Sequence, residues 1–297
     1  MASRIVEFFG YAPTDKSQKA RQARANSECP FLAAKCVKTL SNGDISGVCT
    51  LKPITTGPVI CCPYRLYADD YRILSDVAKV AFEGDVELFR GNEARAAAAS
   101  PGKIKVAVFG KRWGKELRLP NRGKSGGYFV DWVLARLDDK GDLKDFVAIE
   151  VQSIDTTGNY QDERRAYLNN ETPLKASTAG FNWENVNKRI LPQLIYKGHV
   201  LRRERLCRSG LFFVCPKPVY DKIRERLGGT LYEYQLQPGS LSLMWYDIGE
   251  EVPEGQIREL QAEGVFTTTV DQVANAFTSP SNLPNENVYR DAILAQL

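Results

Sequence analysis

Two stretches, Phe129-Val130-Asp131-Trp132-Val133 and Val147-Ala148-Ile149-Glu150-Val151-Gln152, decide how this chain of 297 residues is read. Both are rich in the β-branched and aromatic residues that suit strands, and Asp138-Asp139-Lys140-Gly141 between them reads as a hairpin turn. Side chains alternate along a strand, so Glu150 and Gln152 share one face while Ile149 and Val151 share the other. The apolar pair belongs in a core. A carboxylate set in such a strand is costly unless it is paired or bound to a metal. Asp131 stands in a similar apolar stretch, and a short hairpin brings it beside Glu150. Two carboxylates and a backbone carbonyl converging on one point suit Mg²⁺, a hard cation that keeps several of its waters.

Working outward, the spacing predicts strands at Lys103 to Phe109, Tyr128 to Leu137, Phe146 to Gln152, Leu211 to Cys215, Leu231 to Gln235 and Leu241 to Ile248. It predicts helices over 14–25 with a Thr14/Asp15 cap, from Tyr64 to Ala81, in a stretch ending at Ala96 to Ala99, and over 160–170, 183–196, 218–227 and 288–297. Leu66, Tyr67, Tyr71, Leu74, Val77, Ala78 and Ala81 form one apolar stripe. Strands flanked by helices, with an antiparallel hairpin in the middle, imply a mixed α/β core.

A hydrophobic fraction of 43% and a charged fraction of 26% are those of an ordinary soluble domain with a sizeable core. The longest apolar runs are too short to cross a bilayer, and the first residues lack a signal-peptide pattern, so a cytoplasmic protein is expected. The net charge of +4 permits a nucleic-acid partner. A single histidine, His199, leaves little room for histidine-based chemistry, and it matches no motif; a surface or DNA-facing position is expected. Arg122-Gly123-Lys124-Ser125 looks like the end of a P-loop but has Arg118 where the leading Gly belongs, so it is rejected.

Five of seven cysteines fall in the first quarter of the chain, and a disulfide framework is not expected. Cys29, Cys36, Cys49 and Cys62 are spaced Cys-x6-Cys-x12-Cys-x12-Cys in a Gly/Pro-rich segment. Four thiolates there suit a tetrahedral structural site for Zn²⁺ or Fe. Cys61 and Cys62 should point to opposite sides, so only one ligates; Cys62 is favoured because Pro63 can shape the knuckle. Cys207 and Cys215 read as structural. Basic residues crowd before the hairpin (Lys103, Lys105, Lys111, Arg112, Lys115, Arg118, Arg122, Lys124) and again from Lys188 and Arg189 through Lys197, Arg202, Arg203, Arg205 and Arg208, as DNA phosphates and guanines would require.

Further landmarks run in order: Val6-Glu7-Phe8-Phe9-Gly10-Tyr11, Cys29-Pro30-Phe31-Leu32, Gly47-Val48-Cys49, Ile60-Cys61-Cys62-Pro63, Arg65-Leu66-Tyr67-Ala68, Gly114-Lys115-Glu116, Asp131-Trp132-Val133-Leu134, Glu150-Val151-Gln152-Ser153-Ile154-Asp155, Asn182-Trp183, Val186-Asn187-Lys188-Arg189 and Asn282-Leu283-Pro284. Together they resemble the NotI/EagI family of type II restriction endonucleases, most closely on its EagI side. The resemblance implies a PD-(D/E)xK nuclease core with Gln152 in place of the usual Lys, preceded by a four-cysteine module. The module would occupy 1–65 and the endonuclease domain 66–297. Asp131, Glu150 and the Val151 carbonyl would hold Mg²⁺, Gln152 would orient the attacking water, and Glu116 would serve a second metal or its water shell. The implied protein is a homodimer that makes Mg²⁺-dependent double-strand cuts in DNA at a G·C-rich palindrome with a GGCC core, CGGCCG-like, leaving 5′ overhangs. A bacterial DNA methyltransferase would be its genetic partner. Rival readings are a repair or nicking nuclease, a catalytically silent DNA-binding protein, and a four-cysteine electron-transfer protein.

Overall fold

The alternation around Asp131 and Glu150 forms a hairpin as expected, and the main sheet is assembled on both sides of it. The computed structural model describes residues 2–113, 116–117, 129–229, 231–279 and 283–297. In chain order it runs β1 (Ser3–Phe8), α1 (Gln18–Ala25), β2 (Glu28–Cys29), β3 (Ala34–Lys35), β4 (Val48–Pro53), β5 (Val59–Ile60), a 3₁₀ turn (Pro63–Tyr67) and α2 (Ala68–Phe82). Then come β6 (Val86–Arg90), β7 (Ile104–Gly110), β8 (Trp132–Leu137), β9 (Leu143–Val151), β10 (Thr156–Thr157), α3 (Gln161–Leu168) and β11 (Gly180–Phe181). A π-helical segment (Val186–Ile190) leads into α4 (Leu191–Leu201), followed by β12 (Leu211–Pro216), α5 (Lys217–Leu227), β13 (Ser240–Ile248), β14 (Leu260–Thr269), α6 (Val270–Thr278) and α7 (Val288–Leu294).

The seven-stranded sheet has the order β14-β13-β12-β9-β8-β7-β6, so β9 is its central strand. The β8/β9 hairpin is antiparallel, with Trp132 opposite Ile149 and Leu134 opposite Val147. β9 then pairs parallel with β12, and β12 parallel with β13. These registers define two faces. Trp132, Leu134, Val147 and Ile149 lie on one, which α2 covers: Tyr67 and Tyr71 meet the Trp132 ring edge-on at 5.6 and 5.3 Å. The Trp132 indole donates to the Tyr67 hydroxyl at 3.2 Å. Ala148, Glu150 and Phe213 lie on the other face, where α4 and α5 pack on β12 and β13. Parallel strands covered on both sides must be apolar throughout, and Leu211 to Cys215 are fully buried.

A three-stranded sheet, β1-β4-β5, and the β2/β3 hairpin carry the cysteine segment. Glu7 of β1 and Arg65 of the 3₁₀ turn form a fully buried ion pair at 3.0 Å, and Arg65 Nη2 donates to the Arg258 carbonyl at 2.7 Å. Apolar packing runs without a break from this segment into the large sheet.

Several expectations are corrected. The first helix begins at Gln18, capped by Ser17, whose Oγ accepts the Ala20 N–H at 3.2 Å. Asp15 is occupied elsewhere, accepting the N–H groups of Ser17 and Gly255. The Ala96 to Ala99 run closes no helix; Val86–Arg90 before it is the edge strand β6, parallel to β7. Leu231 to Gln235 forms no strand, and the neighbour of β13 is β14, with α6 behind it. The helix expected over 183–196 opens with the π-helical segment and continues to Leu201. Tyr128, expected to start β8, lies outside the described residues, as does the P-loop-like segment 122–125.

Candidate active site

The ladder between β8 and β9 ends at the pair Trp132–Ile149, and one further step sets Asp131 opposite Glu150 on the face toward α4. The Val151 N–H donates to Asp131 Oδ2 at 2.8 Å, fixing the aspartate against the end of the central strand. Glu150 is buried, held between Phe213 on β12 and the start of β8. Its Oε1 accepts a hydrogen bond from the Lys197 ammonium of α4, and its Oε2 is buried with no partner among the described residues. Gln152 is half-buried two positions along, with its N–H donating to the Val214 carbonyl at 3.0 Å. Glu116 is half-buried and close enough for its charge to act on Asp131; Gly114 and Lys115 of its motif lie outside the described residues.

Burial pushes the Glu150 carboxyl up to about 7, the Asp131 charge adds to the rise, and Lys197 opposes it. The Asp131 carboxyl is raised as well, by desolvation first, against the pull of the Val151 N–H and Lys197. Asp131 is the more exposed of the two. Two crowded carboxylates and an orphaned buried oxygen have an unmet need for positive charge. That donor set fits a divalent oxygen-loving cation. A separate groove of about 540 Å³ on the same sheet face, lined by Ala107, Phe109, Val133, Ala135 and Phe146, is apolar and includes neither carboxylate.

All seven cysteines are unpaired and buried. Cys29 is on β2, Cys36 follows β3, Cys49 is on β4, and Cys61 and Cys62 follow β5, both donating their N–H groups to the Cys49 carbonyl. Burial pushes the Cys29 thiol up to about 11, with Cys36 adding, and the Cys62 thiol up to about 12, with Cys61 and Cys29 adding. Burial raises Cys49 well above its ordinary value, with Cys62 and Cys29 contributing. The four expected ligands therefore share one electrostatic neighbourhood. Among the described residues, no three His, Cys, Asp or Glu side chains are grouped closely enough to make a metal site. Cys61 is distinguished by a partner the others lack: Lys38 Nζ lies 3.5 Å from its Sγ and donates to its carbonyl at 2.7 Å. Burial works against the Lys38 ammonium, and the surrounding Cys61, Cys62, Tyr160 and Cys49 outweigh it, raising its pKa.

The basic clusters divide. Lys103, Lys111 and Arg112 are exposed before the hairpin; Lys115, Arg118, Arg122 and Lys124 lie outside the described residues. In the second cluster Lys188, Arg189 and Arg202 form surface ion pairs with Glu184, Asp155 and Asp271, and Arg203, Arg205 and Arg208 are exposed. His199 is exposed on α4. Lys197, read from the sequence as one of a basic cluster for DNA, points inward onto Glu150 in the DNA-free structure. Its only sequence signal was a Lys one position from Gly198 on a helix with an apolar face.

The landmark residues also meet in space. Asp155 accepts from Asn185 Nδ2 at 2.6 Å and from Arg189 at 3.0 Å, and its carbonyl accepts the Asn182 N–H at 2.8 Å. The strand carrying Glu150 is thereby tied to the entrance of α4. A family model described as restriction endonuclease NotI matches residues 14–207, well over half of the chain. The chain belongs to the NotI restriction endonuclease family. As a NotI-family member it is a type II restriction endonuclease, a site-specific deoxyribonuclease that binds DNA, and the family implies a divalent metal, typically Mg²⁺. The match contains Asp131, Glu150, Gln152 and all four expected cysteine ligands. No curated protein matches the chain. Among the described residues, no helix is long and apolar enough to cross a membrane.

Proposed function

We propose that this NotI-family chain is a PD-(D/E)xK nuclease of the ExQ variety, nearest to EagI, in which Asp131, Glu150 and the Val151 carbonyl hold Mg²⁺. The observation that carries the reading is the buried Oε2 of Glu150 on the central strand, beside Asp131 and without a partner among the described residues. A cation bound there would lower the pKa of its water and neutralise charge on the phosphate. Asp131 and Glu150 bind and orient that ion. Gln152, on the same strand face as Glu150, orients the attacking water through its amide. It neither takes a proton nor carries charge. Glu116 supports a second ion or its water shell through the electrostatic reach it has to Asp131. The reaction is in-line hydrolysis of a phosphodiester, leaving a 5′-phosphate and a 3′-hydroxyl.

A homodimer places one such hairpin on each strand of a palindrome. The target is G·C-rich with a GGCC core, CGGCCG-like, cut to leave four-base 5′ overhangs; exposed Arg203, Arg205 and Arg208 are the type of residue that reads guanine. Residues 1–65 form the module in which Cys29, Cys36, Cys49 and Cys62 hold a structural Fe or Zn²⁺, and 66–297 form the endonuclease domain. The engagement of Cys61 by Lys38 supports Cys62 as the fourth ligand. The setting is the bacterial cytoplasm, with a cognate DNA methyltransferase as genetic partner. The test is Glu150→Ala: cleavage should fall by several orders of magnitude while cognate DNA is still bound in Ca²⁺. Cleavage by that variant at near the wild-type rate would remove the site assignment.

A further inference from the structure

Gln152 leaves the catalytic strand without a positive charge, yet the cleft is not without one. Among the described residues, Lys197 is the cation that touches the carboxylate pair, its ammonium on Glu150 Oε1. Its side chain is 19% exposed, which is low for a residue type that is almost never buried unless paired.

The helix that delivers it is firmly seated. Leu191, Leu194, Gly198 and Leu201 of α4 are buried. A Cβ at position 198 would stand 2.3 Å from Val270 Cγ2, so the glycine lets α4 settle directly on α6. Before α4, the Leu191 N–H donates to the Val186 carbonyl five residues back, a π-type bond. Such a turn adds a residue and rotates everything that follows, and π segments recur at functional sites. The ion pair closes onto Glu150 from α4, through the four-carbon stem of the lysine. One ammonium against two carboxylates leaves net negative charge for a cation, and among the described residues nothing else partners Glu150 Oε2.

We propose that Lys197 supplies from α4 the positive charge that Gln152 cannot supply from β9. In the DNA-free protein its ammonium rests on Glu150, and when a phosphodiester enters the cleft it is the group that meets the scissile phosphate. The inference rests on the Asp131/Glu150 site proposed above, and it makes Lys197 a catalytic residue of that site. Two consequences follow from one contact. Removing the ammonium removes stabilisation of the phosphate charge, and it also frees Glu150 Oε1 for a metal in the absence of DNA.

The test compares Lys197→Met and Lys197→Arg with wild type and with Glu150→Ala. Single-turnover cleavage of a cognate duplex at saturating Mg²⁺ should fall about 100-fold or more in Lys197→Met, the size typical of losing one charge-stabilising donor, and stay within about tenfold in Lys197→Arg. Mn²⁺ binding to the DNA-free proteins, read by electron paramagnetic resonance, should tighten severalfold in Lys197→Met, with thermal unfolding confirming that each variant is folded. Cleavage by Lys197→Met within about threefold of wild type, or equal loss in both Lys197 variants, overturns the inference, as does unchanged Mn²⁺ affinity. If Glu150→Ala is inactive in those same assays, the site reading survives that failure; if Glu150→Ala also cuts, the site reading fails with it.

Discussion

Replacing Glu150 by Gln should make the metal-free protein more stable while abolishing cleavage. The amide is isosteric with the protonated acid, so the variant mimics the state that folded wild type adopts below about pH 7. The Glu150 carboxyl ionises near 4.5 when unperturbed and is pushed up to about 7 in the folded chain, by burial first and by Asp131 second. Between those values the folded state holds a proton that the unfolded state has released. Stability of wild type therefore falls as pH rises from about 4.5 to about 7 and then levels off. The gap, at roughly 1.4 kcal/mol for each pH unit, corresponds to about 3 kcal/mol of penalty carried by the ionised acid above pH 7. Because Glu150 shares its environment with Asp131, the measured gain in Glu150→Gln at pH 8 should lie between about 1 and 3 kcal/mol. The assay is urea unfolding of both proteins in EDTA at pH 4.5, 6 and 8. The two curves should nearly coincide at pH 4.5 and separate progressively toward pH 8, the variant being the more stable. A variant less stable than wild type at pH 8, or a difference independent of pH, would refute this account of the site's electrostatics.

Other consequences concern the N-terminal segment. Cys49→Ser should lose the structural metal and much of the soluble yield, because such sites contribute directly to folding; freshly purified wild type holding less than about a tenth of an Fe or Zn per chain by elemental analysis would end that claim. Glu7→Ala should destabilise the fold by about 3–5 kcal/mol in chemical unfolding, since it leaves the fully buried Arg65 guanidinium without its carboxylate; a loss under about 1 kcal/mol would show that the pair is not holding β1 to the 3₁₀ turn.

The centre of the fold was readable because its chemistry is local. Alternation in Val147 to Gln152 set Ile149 inward and Glu150 toward the other face, while the register that aligns Asp131 with Glu150 comes from a one-residue shift in the pairing between Arg136 and Leu137, which no turn pattern announces. The edges of the sheet were harder. Val86–Arg90 pairs parallel with β7 as an edge strand, and the alanine-rich stretch after it forms neither helix nor strand. Leu260–Thr269 has Gly264 where a Cβ would stand 2.3 Å from the Trp245 ring, so close packing replaces the alternating pattern that betrays a strand. Lys197 was hidden for a different reason. Its contact spans 47 positions in the chain, and the π segment shifts the phase of α4 relative to the regular helix assumed from sequence. The cysteines lay between these cases: their spacing announced a shared neighbourhood, but the Lys38 contact that separates Cys61 from Cys62 is visible only in three dimensions.

The central claim is that the Asp131/Glu150 hairpin is the cutting site of a Mg²⁺-dependent, palindrome-reading nuclease, and digestion of a plasmid of known sequence tests it most directly. Wild type and Glu150→Ala are incubated with the plasmid, each with Mg²⁺ and with EDTA, and the fragment ends are sequenced. Discrete double-strand fragments should appear only with wild type in Mg²⁺, with ends mapping to palindromes that contain GGCC and carry four-base 5′ overhangs. Nicks alone, blunt ends, cuts at A·T-rich sites, or fragments made in EDTA or by Glu150→Ala would contradict it.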